Sequence, residues 1–117
     1  MTARKVLIVD DEIDVRESLG MLLELERFSP MTAPHGAAAL EMLGQNVPDI
    51  IISDFMMPWM NGREFVTKVK AREDTRHIPV ILVSAVDPGP PEPWDAFLKK
   101  PAQIQTLLDT MRRLLGH

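Results

Sequence analysis

Four short apolar runs, each ending in a polar or charged residue, constrain this chain more than anything else in it. Val6-Leu7-Ile8-Val9 ends in Asp10-Asp11, Ile50-Ile51-Ile52 in Ser53-Asp54, and Val80-Ile81-Leu82-Val83 in Ser84. The shorter pair Phe97-Leu98 leads into Lys99-Lys100-Pro101. Runs this short and this continuously apolar suit strands covered on both faces, where neither side carries a solvated residue. Stretches with apolar residues at helical spacing separate them, such as Val15, Leu19, Leu22 and Leu23. Strands alternating with helices imply a parallel sheet with right-handed crossovers. In such open sheets, ligands bind beyond the carboxyl ends of the strands. Asp10, Asp11, Asp54, Ser84 and Lys100 all fall there, so they describe one candidate site.

The remaining elements follow from local signals. Asp14 with Glu17 three residues later reads as a capping box opening the first helix. Phe28 to Ala33 suits a second strand, but Pro30 has no N–H for a ladder and confines it to a sheet edge. Helices are expected over Gly36 to Gln45, Gly62 to Ala71 and Gln103 to Leu115, and a fifth strand over Ala96 to Lys99. The last helix should turn Ile104, Leu107, Leu108, Met111, Leu114 and Leu115 inward.

A chain of 117 residues is expected to form a single domain, residues 1–117, with one core. The net charge of −4 gives no electrostatic reason to expect direct contact with nucleic acid. No apolar run reaches the ~18 residues of a membrane span, and no signal-peptide pattern opens the sequence. With no cysteine there are no disulfides and no thiolate metal sites. A cytoplasmic setting fits all of this.

Three carboxylates without thiolates or clustered histidines favour a hard cation with oxygen ligands, Mg²⁺ or Mn²⁺. Carboxylates held close together repel unless a cation or a proton is present. An aspartate can also act as a nucleophile and form an aspartyl-phosphate. Asp54 is the best candidate, since the adjacent pair Asp10-Asp11 is better arranged to hold an ion. Lys100 supplies the counter-charge, with Lys99 pointing to the opposite face. A metal, a lysine and a hydroxyl around a carboxylate make the electrostatic clamp that phosphoryl transfer requires.

The ordered set of motifs resembles a response-regulator receiver domain, the phosphoacceptor half of two-component signalling. The matching segments are Val6 to Glu12, Pro48 to Pro58, Asn61-Gly62, Pro79 to Ala85 and Phe97 to Pro101, in the family order across nearly the whole chain. The resemblance implies a flavodoxin-like, doubly wound five-stranded parallel sheet of order 2-1-3-4-5. It also implies that Asp54 is the phosphorylated residue, Asp11 a direct metal ligand and Asp10 a ligand acting largely through water. Met56 would offer its backbone carbonyl to the metal, Ser84 would be the switch hydroxyl and Phe97 the switch aromatic. Lys100 would bind phosphate, and the Lys100-Pro101 bond would be cis. Such a receiver takes its phosphoryl group from a histidine kinase or histidine phosphotransfer protein, docked near the first helix, and acts on a downstream protein. It is not an enzyme in the ordinary sense, catalysing only its own phosphorylation and dephosphorylation. The alternatives are a receiver that is part of a larger regulator or hybrid kinase and, ranked lower, a small aspartyl-phosphate phosphohydrolase.

The chain departs from the family pattern at Val86-Asp87-Pro88-Gly89-Pro90-Pro91-Glu92-Pro93-Trp94-Asp95. Receivers place a full fourth helix here, but an interior proline costs a helix ~3 kcal/mol, and four stand in this stretch. The fourth helix is therefore expected to be missing or reduced to about a turn. Trp94 should lie over the sheet face that the helix would have covered. A domain-swapped dimer is a second way to cover it, so monomer and dimer both stay open. Met56 and Val86, two residues beyond Asp54 and Ser84, cannot position a water, which predicts slow loss of the phosphoryl group.

Overall fold

The side chains of Val6 to Val9, Ile50 to Ile52 and Val80 to Leu82 alternate across one sheet and are buried on both sides, as continuous apolarity requires, while Val83, Phe97 and Leu98 are half-buried. The computed structural model describes residues 3–116. Strands β1 (Lys5–Val9), β2 (Ser29–Ala33), β3 (Ile50–Asp54), β4 (Val80–Ser84) and β5 (Ala96–Lys99) form one sheet ordered β2-β1-β3-β4-β5. All four ladders are parallel. The helices are α1 (Ile13–Leu25), α2 (Gly36–Leu43), α3 (Gly62–Ala71) and α4 (Ile104–Leu115). This is the doubly wound order expected, with the proline-containing β2 at an edge.

The register decides what each face buries. Ile8 lies beside Ile52, and Ile52 beside Ile81, so these three point together. They pack with Leu23 of α1 and Leu107, Leu108 and Met111 of α4. The alternate residues Leu7, Val9, Ile51, Val80 and Leu82 face the other way, onto Ala39 and Leu43 of α2 and Phe65, Val66 and Val69 of α3. The same register levels the strand ends, pairing Val9 with Ser53, Asp54 with Val83 and Ser84 with Lys99.

Some local expectations need correction. Helix α1 starts at Ile13 with Glu12 as its N-cap and no side-chain cap, so Asp14 and Glu17 do not form a capping box. Asp14 sits in the first turn, where a negative charge still suits the helix dipole. The capping box is on α3: Asn61 Oδ1 accepts from the Glu64 N–H at 2.9 Å, and Glu64 Oε1 accepts from the Asn61 N–H at 3.4 Å. Leu22 and Ile104, expected to point inward, are exposed. Both border a cavity of about 420 Å³ between α1 and α4, also lined by Leu19 and Leu107. Helix α2 ends at Leu43 rather than Gln45, within the usual uncertainty of a helix end.

Residues 85–95 contain no helix. Trp94, only 8% exposed, packs into the cluster on the α2 and α3 face of the sheet. Asp95 fixes the return into β5: its Oδ2 accepts from the Val80 N–H at 2.7 Å and from Lys70 Nζ at 2.9 Å. Its own N–H donates to the Val80 carbonyl at 2.9 Å. The Lys100-Pro101 bond is cis, as is Pro90-Pro91. Among the described residues no helix is long and apolar enough to cross a membrane.

Candidate functional site

The level strand ends bring the polar residues together at one edge of the sheet. Asp10 follows β1, Asp54 ends β3, Ser84 ends β4 and Lys100 follows β5. Asp10, Asp54 and Ser84 are buried, while Asp11 is exposed. Carboxylate oxygens of Asp10, Asp11 and Asp54 lie within 4.8 Å of one another. Lys100 Nζ stands 3.0 Å from Asp54 Oδ1 and 3.8 Å from Asp10 Oδ2. The lysine therefore pairs closely with Asp54 and more loosely with Asp10.

Backbone contacts hold these groups in place. The Glu12 N–H donates to Asp10 Oδ1 at 3.0 Å, and Arg16 Nη1 donates to the Asp10 carbonyl at 2.8 Å. The Lys100 N–H donates to the Ser84 carbonyl at 2.8 Å, which ties the lysine to the end of β4. Ser84 Oγ accepts the Val86 N–H at 3.2 Å. Beyond Asp54 the chain must turn tightly: the Gly62 N–H donates to the Phe55 carbonyl at 2.7 Å. A Cβ at Gly62 would lie 2.7 Å from the Asp54 carbonyl oxygen and 2.9 Å from Phe55 Cα, so only glycine fits there. Met56 exposes its side chain on this loop. Phe97 is half-buried against the α2 and α3 face.

Burial dominates the electrostatics of Asp10 and raises its pKa above 3.8. The Glu12 N–H opposes this and the Asp54 charge adds to it, while the Lys100 charge works weakly against it and the Asp11 charge weakly with it. Burial works to lower the Lys100 amine, but the hydrogen bond and charge of Asp54, with Asp10 and Glu12, outweigh it and raise its pKa above 10.5. Three carboxylates against one amine leave the site short of positive charge. All its anionic donors are oxygens, a set that fits a hard divalent cation such as Mg²⁺ or Mn²⁺.

The burial of Asp10 sets how stability depends on pH. Because the Asp10 pKa is raised, the folded chain holds this proton more tightly than the unfolded one. The associated stability is present at acid pH and lost as pH rises through the raised value. Asp10→Asn carries no charge at any pH and should stabilise the metal-free protein at neutral pH by about 0.5–2 kcal/mol. Urea unfolding should show the advantage vanish at low pH and narrow or reverse when Mg²⁺ is added. An Asn variant less stable than wild type in chelator at neutral pH would refute this account.

Asp10, Asp11, Asp54, Ser84 and Lys100 were all legible as a site in the sequence. Two arginines were not. Arg16 braces Asp10 from α1, and Arg63 on α3 donates to the carbonyls of Pro88, Gly89 and Pro91. Arginine on a helix is ordinarily solvated, and neither partner set has a sequence signature.

The response regulator receiver domain profile matches residues 6–112. The phosphate regulon transcriptional regulatory protein PhoB of Escherichia coli (strain K12) is 36% identical over 83 residues, covering 71% of this chain and 36% of that protein. The response regulator MprA of Mycobacterium sp. (strain KMS) is 33% identical over 117 residues, covering 95% of this chain and 50% of that protein. The chain thus spans between about a third and a half of these relatives. The solved signal receiver domain of a signal transduction histidine kinase from Syntrophus aciditrophicus superimposes with a TM-score of 0.90 at 33% identity. That match covers 97% of this chain and 91% of the solved one.

Proposed function

The chain belongs to the response regulator receiver family, and on that premise we propose that it accepts a phosphoryl group on Asp54. One observation carries the choice of residue: among the three clustered carboxylates, Asp54 makes the closest ion pair with Lys100, at 3.0 Å against 3.8 Å for Asp10. An Asp54 carboxylate oxygen attacks the phosphorus of a phosphohistidine on a histidine kinase or histidine phosphotransfer protein. The new P–O bond forms as the P–N bond breaks, and the imidazole leaves with the electron pair and takes up a proton.

Asp10, Asp11 and Asp54, with the Met56 carbonyl, would hold Mg²⁺ (or Mn²⁺), which supplies positive charge to the phosphoryl oxygens. Lys100 offers its amine to another of those oxygens. Ser84 Oγ accepts the Val86 N–H, which leaves its own proton free to donate to a phosphoryl oxygen. Phe97, half-buried beside it in the sheet order, can turn inward when Ser84 is drawn toward the phosphoryl group. The chain catalyses only its own phosphorylation and dephosphorylation, in the cytoplasm, and passes the signal to a downstream protein. The greater length of the relatives favours, as a second reading, a receiver acting within a larger regulator or hybrid kinase. Met56, two residues after Asp54, offers no second acid, which argues against a phosphohydrolase.

Incubation with a small phosphodonor and Mg²⁺, followed by intact mass measurement, tests the proposal. One phosphoryl group should be gained, lost on hydroxylamine treatment as an acyl phosphate must be, and absent when the metal is chelated. No gain, or a gain resistant to hydroxylamine, would sink it. Met56 and Val86 are exposed, and neither can orient a water. The combined change Met56→Asn and Val86→Glu should shorten the half-life of the acyl phosphate several-fold. An unchanged half-life counts against that part of the reading.

A further inference from the structure

Residues 85–95 stand where a helix would pack, yet little within the segment holds it together. Four prolines remove backbone donors, and Asp87 Oδ1 closes only a local turn with the Gly89 N–H at 2.9 Å. Arg63 of α3 fixes the segment from outside. Its Nη2 donates to the carbonyls of Pro88 at 2.8 Å and Gly89 at 2.6 Å, and its Nε to that of Pro91 at 3.0 Å. The guanidinium carbon also lies 5.6 Å from the ring centre of Trp94 and 5.8 Å from that of Phe55. These distances are within the range of a cation–π contact. Phe55 is bonded to Asp54. One cation thus joins the residue beside the nucleophile to the segment that follows Ser84.

We propose that Arg63 is a positioning residue that couples Asp54 to residues 86–95 and makes this segment the part of the molecule that reports phosphorylation. The inference rests on the phosphoacceptor reading above. Without a phosphoryl group, the segment is anchored near its start by the Val86 N–H on Ser84 and along its length by Arg63. A phosphoryl group on Asp54 draws on the Ser84 hydroxyl and shifts the loop that carries Phe55. Both ends of the Arg63 contact set are then disturbed together. Charge-assisted bonds from a planar fork are directional, so such a shift loosens the carbonyls of 88–91. Phosphorylation therefore moves the segment from a clamped to a released arrangement, a bias the phosphoryl group exerts because drawing Ser84 Oγ toward itself carries that oxygen away from the Val86 N–H. A receiver with a fourth helix would hold that region by its own backbone bonds. Here a side chain from the preceding helix takes over that role.

Amide hydrogen exchange on the full chain tests this, comparing wild type, Arg63→Ala and Arg63→Lys with and without phosphodonor and Mg²⁺. Intact mass gives the phosphorylated fraction of each sample. Without phosphodonor, the amides of Val86, Gly89 and Trp94 should exchange about tenfold faster or more in Arg63→Ala, since several charge-assisted bonds are lost. The amides of β3 should keep their wild-type rates. Arg63→Lys should fall between, because a single ammonium cannot reproduce the fork on three carbonyls. Phosphorylation should speed the same amides in wild type and add nothing further in Arg63→Ala, although that variant still gains the phosphoryl group. Equal exchange in wild type and Arg63→Ala, or an equal response to phosphorylation, overturns the inference. If the β3 amides show Arg63→Ala to be unfolded, the same comparison with Arg63→Lys decides. Wild type that is phosphorylated without any change in 86–95 overturns the inference alone. Wild type that gains no phosphoryl group removes the underlying reading as well.

Discussion

Asp54→Ala is expected to gain no phosphoryl group from a small phosphodonor with Mg²⁺, and Lys100→Ala to gain it more slowly by a factor on the order of 10²–10³. The two substitutions fail for different reasons. Asp54→Ala removes the attacking oxygen, so neither time nor donor concentration compensates. Lys100→Ala leaves the nucleophile and the acidic pair in place but removes the amine 3.0 Å from Asp54 Oδ1. The phosphoryl oxygens then meet carboxylates with one fixed positive charge fewer. Arginine at position 100 should restore only part of the rate, because a planar fork cannot occupy the place of a compact ammonium. Stopped reactions read by intact mass distinguish the cases, with unfolding curves confirming that each variant is folded. Wild-type uptake by Lys100→Ala would show that the ion pair with Asp54 is structural only. Undiminished uptake by Asp54→Ala would place the acceptor elsewhere.

The sheet and the site were legible in the sequence because both depend on short-range pattern. Continuous apolarity over Ile50-Ile51-Ile52, rich in β-branched side chains, suits a strand covered on both faces, which is what forms. The residue that ends such a strand must emerge at its carboxyl edge. Asp54, Asp10 and Ser84 were placed by that argument alone, and the register then brought them level. The absence of a helix over 86–95 was legible for a similar reason, since a proline acts on its own backbone. The capping box was misplaced because Asp14 and Glu17 match its pattern as well as Asn61 and Glu64 do. The match at Asp14 loses because the helix already begins at Ile13, behind Glu12. Leu22 and Ile104 were misassigned because spacing gives the face of a helix but not the distance to its neighbour. Arg63 was invisible for a stronger reason: its partners are backbone carbonyls 25–28 residues away, and any sequence there would supply carbonyls.

Trp94→Ala should destabilise the protein by about 3–5 kcal/mol, the usual consequence of truncating a buried aromatic side chain. That is a large share of the ~5–15 kcal/mol that holds a domain together. Trp94 lies in a segment without helix or strand, a place where side chains are commonly solvated. Yet only 8% of it is exposed, and it packs with the sheet face formed by Leu7, Val9, Ile51, Val80 and Leu82. No helix covers that region between β4 and β5, so the indole is what separates this part of the core from water. Its removal opens the cluster against which Phe97 also packs and leaves the Arg63 guanidinium without one of its two rings. Neighbours cannot readily collapse into the space, because Asp95 is held to Val80 and Lys70 immediately after it. Trp94→Phe should recover much of the loss by refilling part of the volume. Asp54, at the carboxyl edge of the sheet, keeps its contact with Lys100 in either variant, so phosphoryl uptake should persist in the cold, where both stay folded. A loss under about 1 kcal/mol, below the usual range for a buried aromatic, would mean that something else covers this face. Sedimentation would then show whether a second copy of the chain does so.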